Sequence, residues 1–116
     1  MTTDMMATPE DIDAAAAVRL ANESGAVLLD VREDDEWSAG HAPGAIHIRL
    51  GELDPARLGK AQPVVAICRS GNRSRTAAVK LAAAGLTVYN LGGGMKAWHG
   101  GGRPVVREDG TAGTVI

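Results

Sequence analysis

The chain has 116 residues, of which 45% are hydrophobic and 22% charged, and its formal net charge is −2. This composition is typical of a globular domain, and without an excess of positive charge we expect no nucleic-acid binding. A single cysteine excludes an internal disulfide framework. We find no secretory signal pattern and no apolar run of the about 20 residues that a membrane span needs, so we expect no membrane association and a cytoplasmic location.

The first elements are a predicted helix and a predicted strand. After a loose leader over residues 1–7, Thr8 can cap a helix with Pro9 in its first turn, and Gly25 is the stop signal. Residues 26–31 form a continuous apolar run. Such a run is typical of a strand buried on both faces of a parallel sheet.

One acidic residue interrupts this apolar run. Asp30 would be buried near the end of the strand, where an unpaired carboxylate is costly. Arg32 lies two residues on, and therefore on the same face of a strand, which makes it a candidate partner. We interpret Asp30 first as a satisfied internal brace, and as an alternative, as a group that orients an arginine of the functional site.

Glycine and proline punctuate the next stretch. Residues 33–39 predict a short helix, and Gly-His-Ala-Pro-Gly over 40–44 predicts a tight turn into a short strand. His41 and His47 have no other His or Cys near them at zinc-like spacing. We therefore expect no metal and no other cofactor, and interpret both histidines as hydrogen-bonded to turn backbone. Residues 50–58 predict a weak helix.

The lone cysteine falls between a strand and a helix. The apolar run 64–67 leads into Cys68, and an Ala-rich helical pattern leaves its loop and continues to about Ala84. In open α/β sheets, ligands bind at the carboxyl ends of the strands. Inert burial is the usual fate of a lone cysteine. Here three arginines within seven residues of the sulfur favour an anionic ligand instead.

A glycine triplet follows the last predicted strand. Residues 86–91 predict that strand, and Gly92-Gly93-Gly94 precedes a short helix. The triplet has no Gly-x-Gly-x-x-Gly spacing, so we favour a close approach of its backbone to the Cys68 loop over nucleotide binding. No repeat or long linker divides the chain. We predict one domain over 1–116, with 106–116 as a Gly-rich tail that wraps or frays.

The chemistry of the loop depends on a thiolate at Cys68. A free thiol has a pKa near about 8.5, so the pKa must fall by roughly 2 units, equivalent to about 2.7 kcal/mol. A helix N-terminus supplies about 0.3–2 kcal/mol, and inward amides and arginines can supply the rest. Four residues separate Cys68 from Arg73, which predicts a pocket for one added sulfur rather than a phosphate. The loop holds no acid or base that could relay a proton. Attack of the thiolate on a sulfane sulfur needs no such relay, and is therefore the reaction that we favour.

Four motifs in this order resemble the single-domain rhodaneses, which are thiosulfate sulfurtransferases. The motifs are Leu29-Asp30-Val31-Arg32 with Glu36-Trp37, Gly40-His41-Ala42-Pro43-Gly44-Ala45, Cys68-Arg69-Ser70-Gly71-Asn72-Arg73-Ser74, and Leu91-Gly92-Gly93-Gly94 with Trp98. The resemblance covers about Thr8 to Val105. It implies an α/β, rhodanese-like fold with a central five-stranded parallel sheet flanked by helices on both faces.

The resemblance also implies roles for single residues. Cys68 would be the catalytic nucleophile that carries the persulfide, Arg69 would face the anionic substrate, and Arg73 would brace the loop. The implied substrate-binding residues are Arg69, Ser70, Gly71, Asn72, Arg73 and Ser74. The implied supporting residues are Asp30, Arg32 and His41. Ser70 stands where two-domain members often carry lysine, so the preferred donor stays open.

The implied reaction moves sulfur from a small anionic donor such as thiosulfate to cyanide or a thiol. One alternative is a persulfide carrier, whose acceptor would be a thioredoxin-like or sulfur-carrier protein. A second is a rhodanese-like dual-specificity phosphatase. Its loop holds one residue more between cysteine and arginine, and would place arginine where this chain has Ser74. A third is an inactive structural domain.

Overall fold

A computed structural model describes residues 8–116, and the predicted leader over 1–7 lies outside the described residues. The strands are β1 (Asp11–Ile12), β2 (Val27–Asp30), β3 (Ile46–His47), β4 (Val64–Ile67) and β5 (Val88–Leu91). The helices are α1 (Ala14–Ser24), α2 (Asp34–Ala39), α3 (Asn72–Ala83) and α4 (Gly94–Gly100). All strand pairs are parallel, in the order β1-β5-β4-β2-β3. The predicted five-stranded parallel α/β sheet is confirmed.

Strand β4 lies at the centre of the sheet, and all four of its residues are buried. On one face Ala66 belongs to the same hydrophobic cluster as Ala77 of α3. On the other face Ile67 belongs to a cluster with Ala17 of α1 and Trp98 of α4. Helices therefore cover both faces of the sheet, and the carboxyl end of β4 leads directly into the loop that precedes α3.

The predicted start of the first helix is wrong. Helix α1 begins at Ala14, and the Asp13 side chain caps it by accepting a hydrogen bond from the Ala16 amide at 2.8 Å. The preceding residues are extended, and β1 pairs with β5 at the edge of the sheet. The residues after Pro9 therefore pair with β5 instead of starting a helix. Gly25 ends the helix as predicted, with a φ of +65°.

The predicted weak helix over residues 50–58 is also wrong. Two single 3₁₀ turns, Leu50–Glu52 and Pro55–Arg57, occupy this stretch. Pro55 has no N–H to donate, which interrupts any α-helical ladder. The Asp54 side chain caps the second turn by accepting from the Ala56 amide at 3.0 Å.

The C-terminal tail wraps around the domain. Val106 and His41 exchange two main-chain hydrogen bonds of 2.8 and 2.9 Å, and the Thr114 amide donates to the Ala39 carbonyl at 2.9 Å. These contacts fasten the tail to the end of α2 and to the turn that follows it. Within residues 8–116, none of the helices is both long and apolar enough to span a membrane.

Candidate active site

The Cys68 loop bridges the end of β4 and the start of α3. Cys68 is 1% exposed, and its Sγ accepts a hydrogen bond from the Gly71 amide at 3.0 Å. Gly71 has a φ of +105°, a left-handed conformation that glycine adopts without strain and that turns its amide inward. The Ser74 hydroxyl lies 3.2 Å from the same sulfur. The predicted loop residues therefore curl around the thiol.

Opposing effects act on the Cys68 thiol. Burial raises the pKa of Cys68, but the Ser74 hydroxyl and the amides of Ser74, Gly71 and Ser70 together outweigh it, so that the pKa lies below its usual range. Hydrogen bonds from donors stabilise the charged form, and they are strongest where water is excluded. Much of the lowering comes from main-chain amides, which depend on the shape of the loop.

The glycine triplet packs its backbone against this loop, as the sequence predicts. At the start of α4 the Met95 amide donates to the Cys68 carbonyl at 2.8 Å, and the Lys96 amide donates to the Arg69 carbonyl at 2.9 Å. Gly94 has a φ of +58°, and a Cβ on it would clash with both carbonyl oxygens. The first amides of α4 thereby hold the loop. The close approach of the backbone accounts for glycine at position 94, and no nucleotide is needed to explain it.

Arg73 links the loop to α2. Its two terminal nitrogens donate to the two carboxylate oxygens of Glu36 at 2.7 and 2.8 Å. The Glu36 carboxylate also accepts from the Glu33 amide at 3.0 Å, which closes a capping box at the start of α2. The bond from Arg73 is the main reason why the pKa of Glu36 falls to about 2. This forked pair is the brace that Arg73 is expected to supply.

Replacement of Glu36 by glutamine should remove a pH-dependent part of the stability. The pKa of Glu36 in the fold is about 2, against its usual 4.5. Its contribution is therefore fully present above about pH 4.5 and is lost as the pH falls towards 2. We expect Glu36→Gln to lower the free energy of unfolding at neutral pH, and the difference from the wild type to shrink towards pH 2. Urea unfolding over this range measures it, with Glu23→Gln at the exposed end of α1 as the control.

Arg69 differs from the other two arginines of the loop region. Arg73 pairs with Glu36, and Arg75 pairs with Asp11 at 2.7 Å. Arg69 is exposed, and its Nε donates to the main-chain oxygen of Ile116 at 3.0 Å. Within residues 8–116 it is thus the loop arginine without an Asp or Glu partner.

Two of the expected supporting residues form a buried ion pair. Arg32 donates to Asp30 from its main-chain amide, Nε and Nη2 at 2.8 to 3.1 Å, and both side chains are at most 1% exposed. Arg32 Nη2 also donates to the Gly40 carbonyl at 2.8 Å. The interpretation of Asp30 as an internal brace with Arg32 as its partner is confirmed. The pair joins the end of β2 to the turn after α2.

The two histidines bind backbone oxygens, as predicted. His41 Nδ1 lies 2.9 Å from the Trp37 carbonyl, and His47 Nε2 lies 2.7 Å from the Arg32 carbonyl. A carbonyl accepts only, so each of these ring nitrogens carries a proton. Both rings stack on Trp37, with centroid distances of 3.5 and 4.8 Å. Among the described residues no group of His, Cys, Asp and Glu is arranged to hold a metal ion.

The sequence analysis gave no role to Asn90, which touches the loop. Asn90 of β5 is fully buried, and its Nδ2 donates to the Gly71 carbonyl at 3.2 Å and to the Asp11 carboxylate at 3.0 Å. Its Oδ1 accepts from the Ser74 hydroxyl at 2.6 Å. A polar residue inside an apolar strand was the available signal, the same signal that identified Asp30.

The fold and this loop define a parallel α/β domain that presents a buried cysteine sulfur to the main-chain amides of its own loop. The model of the Rhodanese-like domain matches residues 13–100, so the chain belongs to the Rhodanese-like domain family. Its extent as a single domain over 1–116 stays a prediction.

Relatives and solved structures agree with this family. The chain is 39% identical over 93 residues to YtwF from Bacillus subtilis, which is provisionally named a sulfurtransferase; the match covers 78% of this chain and 90% of that protein. A rhodanese-related protein from Thermoplasma volcanium has a TM-score of 0.79 at 33% identity, over 85% of this chain and 99% of that one. A thiosulfate sulfurtransferase from Pseudomonas aeruginosa has a TM-score of 0.76 at 30% identity, over 86% of this chain but only 20% of that one. These findings support sulfur transfer as the general activity.

Proposed function

We propose that the chain transfers sulfane sulfur through a persulfide on Cys68. The observation that carries this proposal is the sulfur at the centre of the amide ring, 3.0 Å from the Gly71 amide. The thiolate attacks the outer sulfur of the donor, a new S–S bond forms, and the donor's S–S bond breaks. The electron pair of the broken bond leaves with sulfite, which gains one negative charge, while the terminal sulfur of the persulfide keeps the charge that it carried in thiosulfate. No proton moves, which suits a sulfur whose hydrogen-bonding side chain is a serine rather than a general base.

Thiosulfate is the donor that we propose, with cyanide or a thiol as acceptor. Arg69 supports this choice, because it is exposed beside the cysteine and lacks an Asp or Glu partner within residues 8–116. A cation there would attract the dianion and stabilise the charge that leaves as sulfite. The name of the similar Pseudomonas aeruginosa protein points to the same donor. The reducing conditions that keep a thiol free agree with our proposal of a cytoplasmic location.

Replacement of Cys68 by serine should abolish sulfur transfer. A serine hydroxyl forms no persulfide, so we expect no thiocyanate from thiosulfate and cyanide above the uncatalysed rate. The wild type should gain the mass of one sulfur atom after incubation with thiosulfate, and Cys68→Ser should not. The chain contains no other cysteine, so the mass change reports on this site alone. Thiocyanate formation by Cys68→Ser at the wild-type rate would disprove the proposal.

A persulfide carrier that serves a protein acceptor is the second candidate. The outer rim of the loop favours it, because Arg69, Ser70 and Asn72 are all exposed and would be accessible to a thioredoxin-like or sulfur-carrier protein. The kinetics distinguish the two candidates. A kcat/KM for thiosulfate well below the usual enzyme range of about 10⁴–10⁸ M⁻¹s⁻¹, together with fast transfer from a thiol persulfide, would favour the carrier. A panel of thiosulfate, thiol persulfides and mercaptopyruvate as donors supplies both measurements.

A further inference from the structure

The buried side chain of Asn90 can take only one orientation. Its Nδ2 faces the Gly71 carbonyl at 3.2 Å and the Asp11 carboxylate at 3.0 Å, and both of these groups accept hydrogen bonds. The flipped amide would place its oxygen against both acceptors and leave its NH₂ group facing the Ser74 hydroxyl. The pKa of Asp11 lies below its usual range, and the hydrogen bond from Asn90 is the main cause. Burial opposes this lowering, and the hydrogen bond and charge of Arg75 add to it. The Asn90 oxygen is therefore fixed towards Ser74.

The Ser74 hydroxyl has one proton and two acceptors. Its Oγ lies 2.6 Å from Asn90 Oδ1 and 3.2 Å from the Cys68 sulfur. A hydroxyl donates one hydrogen bond at a time. When the sulfur is a thiol, its S–H can donate to Ser74 Oγ while the hydroxyl donates to Asn90, and every group is satisfied. When the sulfur is a thiolate, the hydroxyl must turn to the sulfur and leave the buried Asn90 oxygen without a donor.

We propose that Asn90 is a positioning residue whose amide oxygen competes with the Cys68 sulfur for the Ser74 proton. In the thiolate state the hydroxyl points to the sulfur. In the persulfide state, which rests on the proposed function, the charge lies on the terminal sulfur and Sγ is neutral, so the hydroxyl returns to Asn90. Asn90 thereby favours the sulfur-loaded state over the free thiolate. The hydroxyl turns once in each direction during a cycle, and no proton leaves Ser74.

The charged groups around the sulfur keep their partners while the hydroxyl turns. The loop arginine Arg73 is held by Glu36 of α2, and Arg75 is held by Asp11 of β1. Arg69 lies outside the ring, bonded to a main-chain oxygen. At the end of β2 Asp30 is paired with Arg32, whose Nη1 is buried and has no hydrogen-bond partner among residues 8–116. The Ser74 hydroxyl is therefore the donor side chain whose target depends on the charge of the sulfur.

A double-mutant cycle tests the competition. The pKa of the thiol is measured in the wild type, Ser74→Ala, Asn90→Ala and the double variant, from the pH dependence of thiolate absorbance or of alkylation rate. The single cysteine makes the signal unambiguous. With Ser74 present, loss of the Asn90 oxygen frees the hydroxyl for the thiolate. We expect the pKa shift caused by Asn90→Ala to be about one unit more negative when Ser74 is present than in the Ser74→Ala background. One unit corresponds to a tenfold change in the thiolate-to-thiol ratio.

Each outcome decides the proposal. Equal shifts in both backgrounds would mean that Asn90 acts only by holding the Gly71 carbonyl, and would overturn it. Ser74→Ala alone should raise the pKa by less than about one unit, because the bond gained by the thiolate is offset by the bond lost at Asn90. A larger rise would overturn the proposal even if Asn90→Ala does not fold. The titration uses no sulfur donor, so a chain that accepts no sulfur would refute the proposed function and leave this result standing.

Discussion

Replacement of Asp30 by alanine is expected to destabilise the domain by about 3–5 kcal/mol, because it leaves the Arg32 guanidinium buried without a counter-charge. Arg32 and Asp30 are both inaccessible to solvent, and four hydrogen bonds from Arg32 reach the carboxylate. A loss of this size is comparable to the whole stability of many small domains. We therefore expect Asp30→Ala to be largely unfolded or to melt far below the wild type, as measured by urea or thermal unfolding.

The double variant Asp30→Ala/Arg32→Met separates lost charge pairing from lost packing. Replacing a buried pair with apolar groups of similar volume is often close to neutral. We expect this variant to recover a large part of the stability, although the hydrogen bond from Arg32 to the Gly40 carbonyl is also lost. Glu52→Ala is the matched control, because its ion pair with Arg49 is exposed. An Asp30→Ala protein as stable as Glu52→Ala would show that the buried pair contributes little.

The fold was predictable wherever hydrophobic pattern and turn residues agree. Strand β4 and helix α3 follow from an apolar run and an alanine-rich helical pattern. Strand β1 was not predictable, since it has two residues and exists because β5 leaves an edge for it. Pro9 lies just before this strand, and a proline at that position is equally typical of the first turn of a helix. A strand this short is decided by its neighbour in the sheet rather than by its own residues.

The site was predictable in its nucleophile and less so in the groups that hold it. Cys68 stands out because it is the only cysteine and follows a buried strand. Glu36 and Asn90 are 32 and 22 residues away from Cys68 along the chain, and nothing local marks them as its neighbours. They meet the loop because the parallel order of the sheet brings the carboxyl ends of β2, β4 and β5 to one edge, and α2 with Glu36 follows β2. Contacts of this kind depend on tertiary structure. Their only signal in the sequence is a polar residue at an unusual position, such as Asn90 inside an apolar strand.

One glycine inserted between Gly71 and Asn72 is expected to reduce kcat/KM for sulfur transfer by at least about 100-fold. The insertion adds roughly 3.3–3.6 Å of chain to a loop whose donor amide lies 3.0 Å from the sulfur. Arg73 is fixed to Glu36 and Ser74 is buried in the first turn of α3, so the added length bulges near Gly71. Misplacement of a reacting group by about 1 Å can already cost about 100-fold. The measurement is thiocyanate formation, together with the pKa of the thiol, which should rise.

The control is a glycine inserted between Gly59 and Lys60, in the exposed connector that precedes β4. That position lies before the amino end of the strand, whereas the cysteine follows its carboxyl end, so the ring of amides keeps its size. The control should fold and transfer sulfur at close to the wild-type rate. Equal thermal stability of the two insertions with loss of transfer in the first alone would tie catalysis to the size of the ring. Undiminished transfer after the Gly71 insertion would show that a larger ring holds the thiolate just as well, and that the four-residue spacing does not set the chemistry.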